Sequence, residues 1–266
     1  MIRFTKLCAA MLIALVPTVT TAGSSAPGQS ILPQAEVATF ANRVQQDLAS
    51  RGASVAIVAR MGRDPAQMSN GIRYTHLGLW VYSQITLPDG SKGQGYRVYN
   101  LYQRSNDRTR SDLIQDSPAE FFAGAQRLNA GIIIPDPKLQ QNLLAVIASP
   151  TYVALHNPRY SVLANPRTSQ YQNCTEHTLD VLIASIYGTS DIGQIKANIP
   201  AYFVPQVVQV GGVKRAFAAI ASPALNTDDH GQIVETATFG SVSRFLQSYG
   251  MAKDIYRITP TNVSRF

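Results

Sequence analysis

Residues 171–188 read YQNCTEHTLDVLIASIYG, a polar start followed by a long apolar run that ends in glycine. Asn173 is a favourable N-cap residue and Glu176 follows three positions later, which is an Asn variant of the capping box. The pattern predicts a buried helix that begins at Cys174 and stops at Gly188. A cysteine in a first turn lies at the positive end of the helix dipole, so we expect a thiolate with a lowered pKa. The alternative is a small buried apolar residue, which is what most free cysteines are.

The N-terminal segment has the pattern of a secretory signal peptide over residues 1–22. Arg3 and Lys6 form a basic start, residues 7–16 are apolar, and small residues follow at a cleavage site. Residues 23–32 are rich in Gly, Ser and Pro and are predicted to be a flexible start. We therefore expect an exported protein, periplasmic or extracellular, with no transmembrane segment after cleavage.

The composition limits the partners and the redox chemistry. The chain has two cysteines, and removal of the signal peptide takes away Cys8. A disulfide within the remaining chain is then impossible, and Cys174 is a single thiol in an oxidising compartment, a feature that warrants attention. The formal net charge of +7 is a mild excess from scattered basic residues, with no pattern for nucleic acid.

Along the rest of the chain helices and strands alternate irregularly, which predicts an α+β fold around an antiparallel sheet. We expect one domain over residues 33–266. Its central feature is a hairpin of two strands at 74–82 and 95–103, which are rich in aromatic and branched residues and are separated by a turn signal. Residues 104–172 are predicted to be a largely helical insertion before the cysteine helix.

A cysteine nucleophile requires a base, and the base requires a group that orients it. His76 lies in a strand that otherwise has the composition of a core, and Gly78 on the same face leaves room beside it. Asn100, on the adjoining strand, can hydrogen-bond the imidazole across the hairpin. His177, three residues after Cys174 on the predicted helix, is a second candidate for the base. The alternative for His76 and Asn100 is a pair of satisfied polar residues in the core.

The remaining site residues concern the oxyanion and metals. The backbone N–H of Cys174 is the first candidate donor to an oxyanion, and Tyr171 or Gln172 could supply a second. His177 is then expected to cap the helix or to line the cleft. Cys174, His76 and His177 lack the spacing of a structural zinc site, so no metal and no cofactor is predicted.

The motifs Tyr-Thr-His-Leu-Gly-Leu at 74–79 and Asn-Cys-Thr-Glu-His at 173–177 resemble those of the circularly permuted papain-like fold. That fold includes relatives of lecithin retinol acyltransferase and permuted cousins of NlpC-type cell-wall peptidases, in which the histidine strand precedes the cysteine helix. The resemblance implies an antiparallel sheet packed on a central helix that begins at Cys174. It also implies Cys174 as nucleophile, His76 as base and Asn100 as the third polar residue, at a position where relatives often carry His.

The chain also resembles an uncharacterised bacterial family, domain of unknown function 2145, over most of residues 33–250. Taken together, the motifs imply an exported cysteine hydrolase or acyltransferase that acts on an amide or ester bond. The compartment favours cell-wall peptide as substrate, with lipid acyl groups second. The alternative hypothesis is a non-catalytic papain-like module for binding or envelope assembly, in which the cysteine has no chemical role.

Overall fold

A computed structural model describes residues 30–64, 66, 68–69, 71–86, 89–209 and 222–266. The predicted signal peptide, 1–22, lies outside the described residues, as does the flexible start except for residues 30–32. Across the described ranges, no helix has both the length and the apolar character needed to cross a bilayer.

The fold is α+β and is built on a seven-stranded antiparallel sheet, as the alternation of strands predicts. The strands of this sheet lie in the order β4-β3-β2-β1-β5-β8-β9, and a separate two-stranded ribbon is formed by β6 and β7. The strands are β1 Val55–Met61, β2 His76–Thr86, β3 Lys92–Gln103, β4 Ser111–Asp116, β5 Arg127–Pro135, β6 Gln206–Val207, β7 Glu235–Thr236, β8 Ala252–Ile258 and β9 Val263–Arg265. The helices are α1 Gln34–Ser50, α2 Pro118–Ala123, α3 Pro137–Ile147, α4 Pro150–Ala154, α5 Cys174–Tyr187, α6 Ile192–Tyr202 and α7 Phe239–Ser248.

Helices cover both faces of the sheet. Side chains of a strand alternate between faces, and in β2 the alternation sends Leu77 and Leu79 to one core and Trp80 to the other. The first core contains α3, α5, α6 and α7, and the second contains α1 and α2. Because the first half of β2, residues 76–81, is buried on both faces, any polar side chain there must find a partner inside the protein.

The helix α5 begins and ends as the sequence predicts. The Asn173 side chain accepts hydrogen bonds from the backbone N–H groups of Thr175 and Glu176, both at 3.0 Å. At the other end Gly188 adopts φ 65°, a left-handed conformation that favours glycine. The reciprocal half of the predicted capping box differs, because the Glu176 carboxylate pairs with Lys196.

Lys196 brings a cation to the buried acidic residues of α5. Its Nζ lies 2.7 Å from Glu176 Oε1 and 2.7 Å from Asp180 Oδ1, and all three side chains are at most 9% exposed. Gln172 donates a hydrogen bond to Asp180 Oδ2 at 2.9 Å. This network fastens α6 and the segment before α5 to the central helix.

The stretch 104–172 differs from the predicted helical insertion. It supplies β4 and β5 to the sheet, and β5 lies between β1 and β8. The helix α2 ends at Ala123, and Arg127 already begins β5. Polar residues at the exposed start of β5 obscured its strand character in the sequence, whereas its second half is apolar and buried.

We predict that Lys196→Met lowers the free energy of unfolding by about 3 to 5 kcal/mol, because it leaves two buried carboxylates without their cation. Urea denaturation measures this. Lys138→Met on the exposed part of α3 is the matched control and should change stability by less than about 0.5 kcal/mol. Equal losses in the two variants would show that the buried ion network does not hold α5 and α6 together.

Candidate functional site

The strands β2 and β3 separate at one end, and we call this opening the fork. Their ladder begins at the pair Leu79 and Tyr99, so residues 76–78 lie beyond its end. From Asn100 onward β3 is paired only with β4, as far as Gln103. The backbone groups of β2 that face the fork are therefore not paired with β3 and can form hydrogen bonds with side chains.

His76 and Asn100 bridge the fork. His76 Nε2 and Asn100 Oδ1 lie 3.0 Å apart, and both residues are buried. Gly78 makes this contact possible, because a Cβ atom at that position would lie 2.6 Å from Asn100 Oδ1. The predicted hydrogen bond between the two side chains, and the room left by Gly78, are confirmed.

The His76 ring is held between aromatic groups. It stacks on Tyr102 with centroids 4.6 Å apart, and lies 5.4 Å from the Phe121 ring. Its Nδ1 is buried and has no hydrogen-bond partner among the described residues. Burial, and then the positive charge of Arg60, hold the pKa of His76 well below its ordinary value, against the effect of the Asn100 hydrogen bond. The imidazole is therefore neutral at neutral pH.

The Cys174 sulfur lies at the same fork. Sγ is 3.9 Å from the carbonyl oxygen of Thr75 and 3.9 Å from Thr175 Oγ1. The backbone N–H of Leu77 also forms a hydrogen bond that favours the thiolate. Thr75 and Leu77 are the chain neighbours of His76, so the sulfur contacts the backbone on either side of the imidazole. The apolar side chains around it are Leu101, Tyr160 and Ala224.

The sulfur and the His76 ring are not hydrogen-bonded to each other, in contrast to the expected direct contact. The contacts of Sγ are those given above, and the only ring nitrogen of His76 with a partner is bonded to Asn100. Strand alternation explains the difference, because it directs the His76 side chain toward Phe121 while α5 packs on the opposite face of β2.

The pKa of Cys174 is raised, which corrects the expectation of a lowered value. Burial is the largest cause, since the residue is only 4% exposed, and it outweighs the hydrogen bonds and the charge of Arg60 that favour the thiolate. A helix start stabilises a thiolate by a modest amount, whereas removal of a charge from water costs more. Cys174 is therefore a neutral thiol in this structure.

His177 lies within α5 but is engaged elsewhere. Its Nε2 is 3.3 Å from the carbonyl oxygen of Tyr152, which can only accept, so this nitrogen carries the proton. The ring also meets the Tyr152 ring edge to face at 5.0 Å. Burial lowers the pKa of His177 to about 3. These contacts place it as a helix-packing residue on the α4 side.

The two candidate oxyanion donors are also engaged. The Tyr171 hydroxyl donates to Asp228 Oδ2 at 3.2 Å, and its ring lies under the Arg159 guanidinium at 4.9 Å. The Gln172 amide donates to Leu155 O at 3.0 Å as well as to Asp180. Neither side chain is available to a carbonyl at Sγ, so the Cys174 N–H is the remaining candidate.

Three residues of the fork were missed in the sequence. Tyr102 donates to Asp116 Oδ2 at 2.6 Å, and the Asn100 amide nitrogen lies 3.2 Å from the same oxygen. Arg60 is fully buried and is paired across the ladder with His76. A lone arginine in the apolar strand VAIVARM and a tyrosine two residues after Asn100 are the signals that would have indicated them.

Within the described ranges, no group of three or more His, Cys, Asp or Glu side chains is arranged to hold a metal ion. A cavity of about 330 Å³ opens beside the first turns of α7 and is lined by Arg73, Tyr74, Phe239 and Arg244, among others. Neither Cys174 nor His76 lines this cavity.

The fold and the fork define an α+β protein with an antiparallel sheet and a free thiol at the start of a buried central helix. Residues 47–246 match the model of a family described as uncharacterized proteins conserved in bacteria, domain of unknown function 2145. The chain belongs to this family, as its overall resemblance predicts. Comparison with curated proteins gave no match. No solved structure matches the chain either.

We predict that alkylation of Cys174 by iodoacetamide in the folded protein is slow at pH 7 and rises with a midpoint above that of free cysteine, about 8.5. The reason is the burial that raises its pKa. The rate is measured by mass spectrometry from pH 6 to 10, with the urea-unfolded protein as control. A midpoint below pH 8 would mean that the helix dipole outweighs burial.

Proposed function

We propose that this chain is an exported cysteine hydrolase or acyltransferase that uses Cys174 to attack an amide or ester carbonyl. The observation that carries the proposal is the fork itself. His76 is fixed through Nε2 by Asn100, its Nδ1 is buried without a partner, and Cys174 Sγ touches the backbone on both sides of it. A buried nitrogen without a partner is costly, and such exceptions in proteins call for an explanation. A proton-accepting role toward the neighbouring thiol supplies one.

The proposed reaction has two halves. In the first, Nδ1 of His76 takes the thiol proton as the sulfur bonds to the carbonyl carbon, and the backbone N–H of Cys174 donates to the oxyanion. The tetrahedral intermediate breaks its bond to the amine or alcohol, which leaves with the proton from Nδ1. In the second half, water or an acceptor attacks the thioester and gives its proton to Nδ1. The C–S bond then breaks, the sulfur takes that proton back from Nδ1, and the product departs.

The reaction requires the His76 ring and the Cys174 sulfur to come together at the fork. Sγ and the imidazole lie toward the two faces of the sheet at this opening, so the reaction requires a movement that brings Nδ1 to the thiol. Catalytic hydrogen bonds are often loose without substrate and tighten in the complex. The Cys174 thiol and the His76 imidazole both start neutral, so proton transfer between them creates charges. Substrate binding would also shield these developing charges.

The substrate and the location are proposed on the resemblance to permuted papain-like enzymes. A histidine strand that precedes a cysteine helix, and an antiparallel sheet packed on that helix, both fit that fold. With the signal-like segment at 1–22, the family resemblance favours cell-wall peptide, and lipid acyl groups are the second choice.

A second function is favoured by a different observation. Burial keeps Cys174 protonated, and its sulfur is packed among Leu101, Tyr160 and Ala224 as a small apolar residue would be. This arrangement suits a papain-like module that binds an envelope component without catalysis. The two functions differ in whether the folded protein reacts with an acylating reagent.

The test is labelling by an acyloxymethyl ketone probe, which reacts with a thiol activated for acyl chemistry. We predict one label per chain at Cys174, and a rate at least about 100-fold lower in His76→Gln, because the base is lost. His177→Gln is the matched control, since glutamine can still donate to Tyr152 O. Its labelling rate should stay within about threefold of the unmodified chain.

Two outcomes would contradict the enzyme. Equal labelling of the unmodified chain and of a folded His76→Gln variant would show that His76 takes no part in the reaction. Absence of labelling in the folded chain, with full labelling after unfolding in urea, would favour the binding module. Circular dichroism and a cooperative melting transition show that each variant is folded before its rate is compared.

A further inference from the structure

The fork contains a second layer of contacts beneath His76 and Asn100. The Asn100 amide nitrogen lies 3.2 Å from Asp116 Oδ2 and 3.4 Å from the carbonyl oxygen of Val98. Tyr102 donates its hydroxyl proton to the same Asp116 oxygen at 2.6 Å. Because Tyr102 is also the residue that stacks on His76, the carboxylate touches both residues that hold the imidazole.

The identity of these groups fixes the orientation of the Asn100 amide. A backbone carbonyl can only accept a hydrogen bond, and the Asp116 carboxylate likewise accepts from Tyr102. The side of Asn100 that faces them must therefore be its NH₂ group. Its Oδ1 is then turned toward His76, and the opposite orientation would set two oxygens against each other and leave the NH₂ facing His76 Nε2.

The orientation of the amide in turn fixes the tautomer of His76. Oδ1 of Asn100 accepts, so His76 Nε2 must carry a proton and donate across the 3.0 Å contact. Since the buried ring is neutral, Nδ1 carries only its lone pair. Nδ1 is the buried nitrogen without a partner. The neighbouring groups thus determine which nitrogen of the imidazole can accept a proton.

We infer that Asp116 is a positioning residue that, through the Asn100 amide, holds His76 in the Nε2–H tautomer with Nδ1 as the proton acceptor. The tautomer follows from the contacts of a neutral ring, whereas its use toward Cys174 rests on the proposed function. Asp116 does not touch the sulfur, and it acts only through Asn100 and Tyr102. Tyr102 keeps the carboxylate in place and covers one face of the ring.

The charge of the site is consistent with this role. Asp116 is half-buried at the end of β4, where it is opposite Val98 in the ladder. Its pKa is raised, chiefly by burial and also by the charge of Glu120, while the Tyr102 hydrogen bond acts to lower it. Arg60 also acts to lower the pKa of Asp116, and it opposes protonation of His76. The Tyr102 hydrogen bond and the Arg60 guanidinium thus act toward an ionised, accepting Asp116, against burial and Glu120, and the guanidinium also favours a neutral imidazole.

The experiment reads the tautomer directly. Ring nitrogen shifts of His76 are measured by NMR in ¹⁵N-histidine-labelled protein at pH 7, with His76→Gln used to assign the signals. We predict the Nε2–H pattern in the unmodified chain and a measurable Nδ1–H population in Asp116→Ala, because the amide of Asn100 loses an acceptor and can turn over. Asp112→Ala, on the same strand with its carboxylate paired to Arg104, should leave the pattern unchanged.

A swapped pair separates positioning from stability. In Asn100→Asp with Asp116→Asn, a carboxylate faces His76 and an amide at 116 can donate to it, so the Nε2–H tautomer should return. Probe labelling should fall by about tenfold in Asp116→Ala and recover to within about threefold in the swapped pair. A residue that acts only on stability would not be rescued in this way.

The outcomes distinguish the two proposals. An Asp116→Ala protein that keeps a pure Nε2–H tautomer overturns the positioning role, whatever the labelling rates are. An Nδ1–H tautomer in the unmodified chain overturns it as well. If the tautomer shifts in Asp116→Ala and returns in the swapped pair, but the folded unmodified chain is not labelled, positioning holds and the proposed function fails.

Discussion

The burial of α5 is the constraint on which the rest of the structure depends. From Cys174 to Ser185 every residue of this helix is buried, and six of the first seven carry polar or ionisable side chains. Each of them must find a partner in the protein, because water does not reach it. Asn173 caps the helix, Lys196 neutralises Glu176 and Asp180, and the thiol turns to the backbone of β2.

The same burial sets the charge state of the fork. It raises the pKa of Cys174 and lowers that of His76, so the pair rests as thiol and imidazole. In a dry site, separation of charge is costly until an opposite charge or a dipole compensates it. In the proposed reaction the neutral pair becomes reactive only as the proton moves and the sulfur attacks. The neutral thiol also resists oxidation, because the thiolate is the form that is oxidised.

Several features of the fold and of the candidate site could be predicted from local patterns in the sequence. The cap at Asn173, the stop at Gly188, the hairpin of β2 and β3 and the hydrogen bond between His76 and Asn100 all follow from short-range rules. Residue type and periodicity determine such features directly, and a polar residue in an apolar strand indicates a buried hydrogen bond.

The other features depend on how the helices and strands pack against each other, which short-range sequence patterns do not determine. The face to which His76 points follows from the sheet register, and the raised pKa of Cys174 follows from the depth of its burial. Glu176 has the spacing of a capping box, but Lys196, twenty residues later, is a stronger partner for it in a buried site. The strand β4 is short and largely polar, so its place beside β3, and with it the position of Asp116, could not be predicted from periodicity.

The central claim is that the thiol of Cys174 and Nδ1 of His76 meet across the fork during acyl transfer. A crystal structure of the protein with Cys174 covalently modified by a peptidyl ketone tests it most directly. We predict that Nδ1 lies within about 3.5 Å of the sulfur or of the adduct oxygen, with Nε2 still bonded to Asn100 and the oxygen facing the Cys174 N–H. An adduct in which Nδ1 remains buried away from the sulfur, with no group of His76 near the bound ketone, would contradict the claim.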